Sequence, residues 1–393
     1  LIAAGLCAGL ALAWCAPHLL ADETYYGPQV RLFMEGRFEL VPGITMIPAY
    51  HLVVASIAQI FGPYSDRLAR ATSFLGTILF VVAAWRLASE WCPDAKPTRV
   101  VQAVFQPLLF PYLFLIYTEA WSLAALAAML VALARRRFWI AAGAGAIGVL
   151  IRQDFVIWVA MAFTMATVGG LASFDLRKSW RGLIKSAVEA SPLLLVLLGF
   201  AGFVAWNGGV ALGDRASHQS GMNVTNLYFM LICGWVVFLP VAVDCLPEIR
   251  DLVRQPRVAL ALAAAFALYM ATYSNLHIYN QEHLRFFVHN EVLHWMTHRP
   301  WVRAILFVPL AWMLLACVVV ARKRPMLRIP MLFAAVSVAL HPLIEQRYYL
   351  PAFLLLNLGR APISPRLEAT MVVIYIPVAL ALLYGMVSER FFL

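Results

Sequence analysis

Residues 193–218 read LLLVLLGFAGFVAWNGGVALGDRASH. Up to Trp206 the stretch carries no charge, and then Asp214, Arg215 and His218 arrive within five positions. A greasy run ended by ionisable groups is the pattern of a helix that leaves a membrane, since about 20 apolar residues span a bilayer as helix. Runs of 15 to 22 apolar residues recur along the whole chain. The 393 residues are 63% hydrophobic and 13% charged, with a mean hydropathy of +0.80, which lies outside the globular range. The fold class expected is all-α: a polytopic membrane protein with about 13 transmembrane helices.

The apolar runs place crossings near 1–20, 71–89, 100–116, 120–134, 138–151, 155–173, 187–206, 226–246, 258–276, 300–321, 329–343, 347–359 and 368–387. No large soluble stretch and no solenoid period interrupts them, so residues 1–393 form one expected membrane domain. The run 1–20 lacks a basic leader and does not begin with Met, so it is expected as a first crossing whose extreme N-terminus is missing, rather than as a signal peptide. Cys7, Cys15, Cys92, Cys233, Cys245 and Cys317 are scattered without C-x-x-C spacing, which supports neither a disulfide framework nor a zinc site.

Threading these crossings sorts the loops into two sets. One holds RRR (135–137), DLRKSWRGLIK (175–185), EIRDLVRQPR (248–257), RKRPMLR (322–328) and GRAPISPR (359–366). On that side the sequence has 19 Lys plus Arg against 8 Asp plus Glu, and on the other 11 against 12. All four Lys lie in the first set, which is therefore expected on the cytoplasmic side. The formal charge of +10 reads as topology, and nucleic acid is not an expected partner.

The opposite face has a different chemistry. Its segments are ADETYYGPQVRLFMEGRFE (21–39), YTEA (117–120), IRQDF (151–155), WNGGVALGDRASH (206–218), HIYNQEHLRFFVHNEVLHWMTHR (277–299) and HPLIEQRYY (341–349). Each contains an acid, and most set it beside Arg, His, Asn or Gln. Ionisable groups at apolar helix ends are costly unless they pair or meet water, so a shared polar site is expected there. The crossings are nearly free of charge at their middles, which points away from an ion pathway at the midplane. After Asp22 and Glu23 the first outer loop, 21–70, is expected to carry interfacial helices.

An Asp-Glu pair just after the first helix, followed by interfacial helices, is similar to the GT-C glycosyltransferases that use lipid-phosphate sugars. More closely, ADETYYGPQVRLFMEGRF, YTEA, RQDFVIW, NGGVALGDRASH and EQRYYLP resemble, in order, the dolichyl-phosphate-glucose-dependent alpha-1,2-glucosyltransferase family, which adds the terminal glucose to a lipid-linked oligosaccharide. Where members of that family tend to read RQTN, this chain reads Arg152, Gln153, Asp154 and Phe155, so it departs at Asp154 and Phe155, and its composition looks prokaryotic. The resemblance implies a GT-C-like fold, a polyprenyl-phosphate-sugar donor, a lipid-linked glycan acceptor, and a site on the extracytoplasmic face of a bacterial plasma membrane, or the luminal face of the endoplasmic reticulum membrane in a eukaryote. Another GT-C transferase, for mannose or arabinose, and a flippase or transporter of lipid-linked sugars stay open as alternatives.

Transfer from a polyprenyl-phosphate-sugar needs a base for the acceptor hydroxyl and cations for the departing phosphate. It needs no strong acid, because a phosphate monoester has a second pKa near 6. Asp22, by position and by resemblance, is the expected base, with Glu23 beside it as the second catalytic candidate. Arg is suited to phosphate through its forked, permanent charge; the candidates are Arg347 first, then Arg285, Arg152 and Arg215, with His341 and His218 as further donors. Glu119, Asp154, Asp214, Arg215, His218, Glu282 and Glu345 are candidates for acceptor or sugar contacts. Asp214 and Arg215 could equally pair to shape the loop around Gly208, Gly209 and Gly213. No D-x-D occurs in the chain, so no metal and no cofactor is expected. Asn223 heads an N-x-T sequence that reads as incidental.

Overall fold

The computed structural model describes residues 1–168, 180–213 and 221–393. Among them every regular element is helical, and a single isolated bridge joins Phe287 to Phe392. Among the described residues three helices are long and apolar enough to cross a membrane alone: Asp66–Trp91, Pro300–Lys323 and Pro365–Val387. Two bent pairs, Trp180–Glu189 with Ser191–Asn207 at 69° and Leu246–Val253 with Pro256–Thr272 at 93°, raise the number to five if each is one span. The other apolar helices are 10–17 residues long.

The 13 expected crossings thus correspond to shorter and more broken elements than the apolar runs suggest. The clearest correction is 100–116, where helix Lys96–Val104 stops and a 3-10 turn, Phe110–Leu113, follows. Pro107 and Pro111 explain the break, because each removes a backbone donor and clashes with the preceding turn. Irregular backbone at this depth needs partners within the protein, and helix Asp66–Trp91 supplies them. Its Thr77 and Ser73 hydroxyls donate to the carbonyls of Leu113 at 2.6 Å and Leu115 at 3.0 Å. The run 226–246 likewise divides, into Thr225–Val237 and Leu239–Asp244, with Pro240 at the start of the second piece.

Helix ends carry the expected chemistry. Ser65 and Ser364 accept from the backbone N–H groups of Leu68 and Leu367, opening two of the long helices. Helix Ser191–Asn207 closes on Gly208 at φ +72°, a left-handed position that glycine adopts without strain. Beyond it Gly213 approaches the first outer loop so closely that a Cβ there would lie 1.8 Å from the Ile44 carbonyl oxygen. Residues 21–70, the expected first outer loop, contain the helices Glu23–Met34 and Ala49–Phe61.

The loops segregate into two ends. Arg99 and Arg360 pair with Glu368, Arg135 with Glu90, Arg136 with Glu189, and Lys323 with Glu248, all within the basic set. Arg70, Arg152, Arg347 and His341 pair with Glu23, Glu119, Asp154, Asp22 and Glu345, all within the other set. No ion pair among the described residues joins one set to the other.

Candidate active site

At the acidic end two chain-distant segments, at Asp22 and at 112–119, converge on Arg347, and a third, at Arg152 and Asp154, joins them through Glu119. This residue lies just before helix Leu350–Gly359, in the 3-10 turn Gln346–Tyr349. Its Nη1 sits 2.8 Å from Asp22 Oδ2 and 3.8 Å from Glu119 Oε1, and its Nε donates to Glu345. The guanidinium lies over the rings of Tyr117 at 5.1 Å and Tyr112 at 5.8 Å. A second guanidinium stands beside it: Arg152 donates to Glu119 at 2.8 Å and forks onto both oxygens of Asp154 at 3.2 Å. His341 lies 3.5 Å from Asp154 and stacks on Tyr348 with ring centroids 4.0 Å apart.

Four carboxylates therefore surround two guanidiniums, so the site is not a simple cationic cradle. Arg347 itself is engaged by three of these carboxylates. Glu119 and Glu345 each keep one buried oxygen without a partner, and Glu119, Arg152, Asp154, Trp158, Ser337 and Tyr348 line a cleft next to Arg347. Burial pushes the Asp154 carboxyl up, but Arg152 and His341 outweigh it and hold the group below the usual carboxylate range. Burial, followed by the charge of Arg347, depresses the nearby His289 imidazole to about 3, which makes it a neutral neighbour.

The expected catalytic pair divides. Asp22 is one-third exposed and turned to Arg347, while Glu23 is fully buried and turned away from it. Arg70 grips Glu23 through Nε at 3.0 Å and Nη2 at 2.6 Å, and the N–H groups of Ile116 and Leu20 donate to it at 2.8 and 3.0 Å. Arg70 was not singled out in the sequence; an Arg at the start of an otherwise apolar helix was the available signal.

Arg285 and Glu282 are exposed in the 277–288 loop, and neither forms an ion pair among the described residues. That loop is nevertheless sewn to the site. The Asn280 amide donates to the Ile344 carbonyl at 2.9 Å and accepts from the Ile344 N–H at 2.9 Å, one residue before Glu345. Asp214, Arg215 and His218 lie outside the described residues. The described part of their segment reaches the first loop, since the Leu212 N–H donates to Thr45 at 2.9 Å. Asn223, of the N-x-T sequence, spends its side chain on Pro342 and Thr225. Among the described residues no three His, Cys, Asp or Glu gather as metal ligands would.

A strongly apolar all-helical chain with a paired polar centre at one end defines an integral membrane protein with an enzyme-like site. The model of the DIE2/ALG10 family matches residues 16–179 and 171–358, and this chain belongs to that family. Among its relatives is the Arabidopsis thaliana protein named Dol-P-Glc:Glc(2)Man(9)GlcNAc(2)-PP-Dol alpha-1,2-glucosyltransferase, at 21% identity over 87% of this chain and 86% of the relative. Proteins of the same name from Drosophila melanogaster and Homo sapiens are each 24% identical, covering 86% and 69% of this chain and 83% and 69% of their own length. Of solved structures, ArnT from Cupriavidus metallidurans in the apo state is similar with a TM-score of 0.47 at 15% identity, over 99% of this chain and 76% of that one.

Proposed function

We propose that this protein is an inverting glycosyltransferase that moves glucose from a polyprenyl- or dolichyl-phosphate-glucose donor to a lipid-linked glycan, forming an alpha-1,2 linkage. Family membership and the names of the relatives support the activity and the donor. The observation that carries the mechanism is the 2.8 Å contact between Asp22 and Arg347.

In the step we infer, the acceptor hydroxyl oxygen bonds to the anomeric carbon as the bond from that carbon to the phosphate oxygen breaks. The electron pair leaves with the polyprenyl phosphate, and the hydroxyl proton passes to the Asp22 carboxylate. Asp22 thereby changes from anion to neutral acid while the phosphate gains a negative charge. Arg347, touching Asp22, is placed to follow that charge from base to leaving group, and a guanidinium fork suits phosphate oxygens. Arg152 and His341 stand behind it as further donors, and the spare oxygens of Glu119 and Glu345, with Asp154, are candidates for sugar or acceptor hydroxyls. Asp214, Arg215, His218 and Glu282 remain candidates for acceptor or sugar contacts, and Arg285 for the donor phosphate. The proposed step uses no metal or cofactor: the chain has no D-x-D, and the Arg347 and Arg152 guanidiniums offer the positive charge for the departing phosphate.

The prokaryotic composition and the basic loops support a bacterial plasma membrane with this site extracytoplasmic. A single Cys at Arg37 should then be labelled from outside and one at Arg254 only after permeabilisation; the reverse pattern would invert the orientation. The activity is tested by incubating the purified protein with a synthetic β-linked polyprenyl-phosphate-glucose and a lipid-linked glycan. An alpha-linked glucosyl product is expected. A glucose trapped covalently on the protein would reject direct inversion, and translocation of the donor with no glycosidic product would make the protein a transporter.

A further inference from the structure

Glu23 and Arg70 form the most buried ion pair of the acidic end, with side-chain exposures of 0% and 2%, and the transfer step uses neither. Every acceptor site on Glu23 facing the interior is filled, so it has no capacity left for a substrate proton. Arg70 also reaches past Glu23 to the carbonyls of Ala13 at 3.1 Å and His18 at 2.7 Å, which belong to the end of helix Ile2–Trp14 and the turn after it. Glu23 in turn holds the Ile116 N–H, next to Tyr117, whose hydroxyl accepts from the Asp22 N–H at 3.0 Å. One guanidinium thus ties together the first helix, the Asp22 turn and the irregular segment before Glu119.

The turn has little freedom of its own to hold Asp22. Ala21 sits at φ +45°, a left-handed conformation that a residue with a Cβ enters only at a cost. Glu23 is the first residue of helix Glu23–Met34, and Asp22 occupies the N-cap position, where its side chain makes no capping bond and its backbone is already helical. Successive residues on a helix point about 100° apart, which follows from 3.6 residues per turn. Locking Glu23 inward on Arg70 therefore turns Asp22 towards Arg347.

We infer that Arg70, acting through Glu23, is a positioning residue for the transfer reaction: it fixes the orientation of the Asp22 carboxylate. The inference rests on Asp22 being the base. It implies that loosening the pair harms the chemical step more than donor binding, because Arg347 and the phosphate site are anchored on a separate segment.

Arg70→Lys keeps the charge and removes the fork. With turnover normalised to protein that binds donor, kcat should fall about 10- to 100-fold, as loss of orientation does, while donor KM stays within about twofold of wild type. Glu23→Gln, which keeps the shape, should reproduce the split, and it carries the test by itself if Arg70→Lys does not fold. Ala21→Gly should be silent alone yet deepen the Arg70→Lys or Glu23→Gln loss, since the released turn then has more conformations available. Wild-type kcat per donor-bound molecule in either pair variant would reduce the pair to packing. Full activity in Asp22→Asn would instead overturn the assignment of the base.

Discussion

Asp22 and Arg347 come from opposite ends of the chain and meet at 2.8 Å, with Glu345 and Glu119 on the same guanidinium. The proposed base and the proposed phosphate ligand are thus each other's partners. In the proposed mechanism donor phosphate competes with Asp22 for Arg347, and success in that competition frees the carboxylate for the acceptor.

Asp22→Asn should separate the two events. General-base catalysis contributes about 10²- to 10⁴-fold, so single-turnover transfer is expected to fall by that order. Donor affinity should be no weaker than wild type, because Arg347 loses a competing carboxylate. Weakened donor binding in equilibrium titrations would show that Asp22 itself holds the donor.

Arg347→Lys should weaken donor binding although the charge remains. Each lost charge-assisted hydrogen bond is worth roughly 1.5–3 kcal/mol, or about a 10- to 100-fold rise in donor Kd. The defect is expected with every acceptor. Unchanged donor affinity in this variant would move the phosphate to Arg152 or Arg285.

Glu345 supplies a pH dependence. Burial pushes its carboxyl up; Arg347 pulls it back, and the Asp22 and Glu119 charges push it up again, leaving it above the ordinary value of 4.5. A carboxyl that is harder to ionise in the folded state binds more protons folded than unfolded. Its contribution to stability is full below the ordinary carboxylate value and declines as pH rises through the folded value. Glu345→Gln removes that decline, so the fall in Tm in detergent above pH 4.5 should be shallower than in wild type. Identical slopes would assign the dependence to another group.

Asn280→Ala should loosen the Arg347 segment from a distance. It leaves the Ile344 N–H and carbonyl without their partners, and a buried unsatisfied group costs about 1–3 kcal/mol. A lower Tm together with a raised donor KM is expected. A lower Tm with unchanged KM would mean that the 277–288 loop supports the fold without shaping the site.

Much of this was legible in composition and spacing. The side of the chain on which each loop falls followed from the apolar runs and basic residues, and the ion pairs respect that division throughout the described residues. Asp22, Glu119, Arg152, Asp154, His341, Glu345 and Arg347 all belong to the converged cluster, because an ionisable residue at an apolar helix end has few ways to be stable other than to pair. Arg285 and Glu282, equally polar in sequence, stay exposed, since a loop that reaches water imposes no need for partners.

What the sequence by itself determined is the class of protein, the two chemically distinct ends and the set of residues available for a site, because hydropathy and charge act residue by residue. Tertiary structure alone decided the broken course of 100–116, the different roles of adjacent Asp22 and Glu23, and the choice of Arg70 as the partner that separates them. Those depend on which backbone groups lack hydrogen bonds after packing and which distant side chain reaches them. Such relations between remote segments have no local signature in the order of residues.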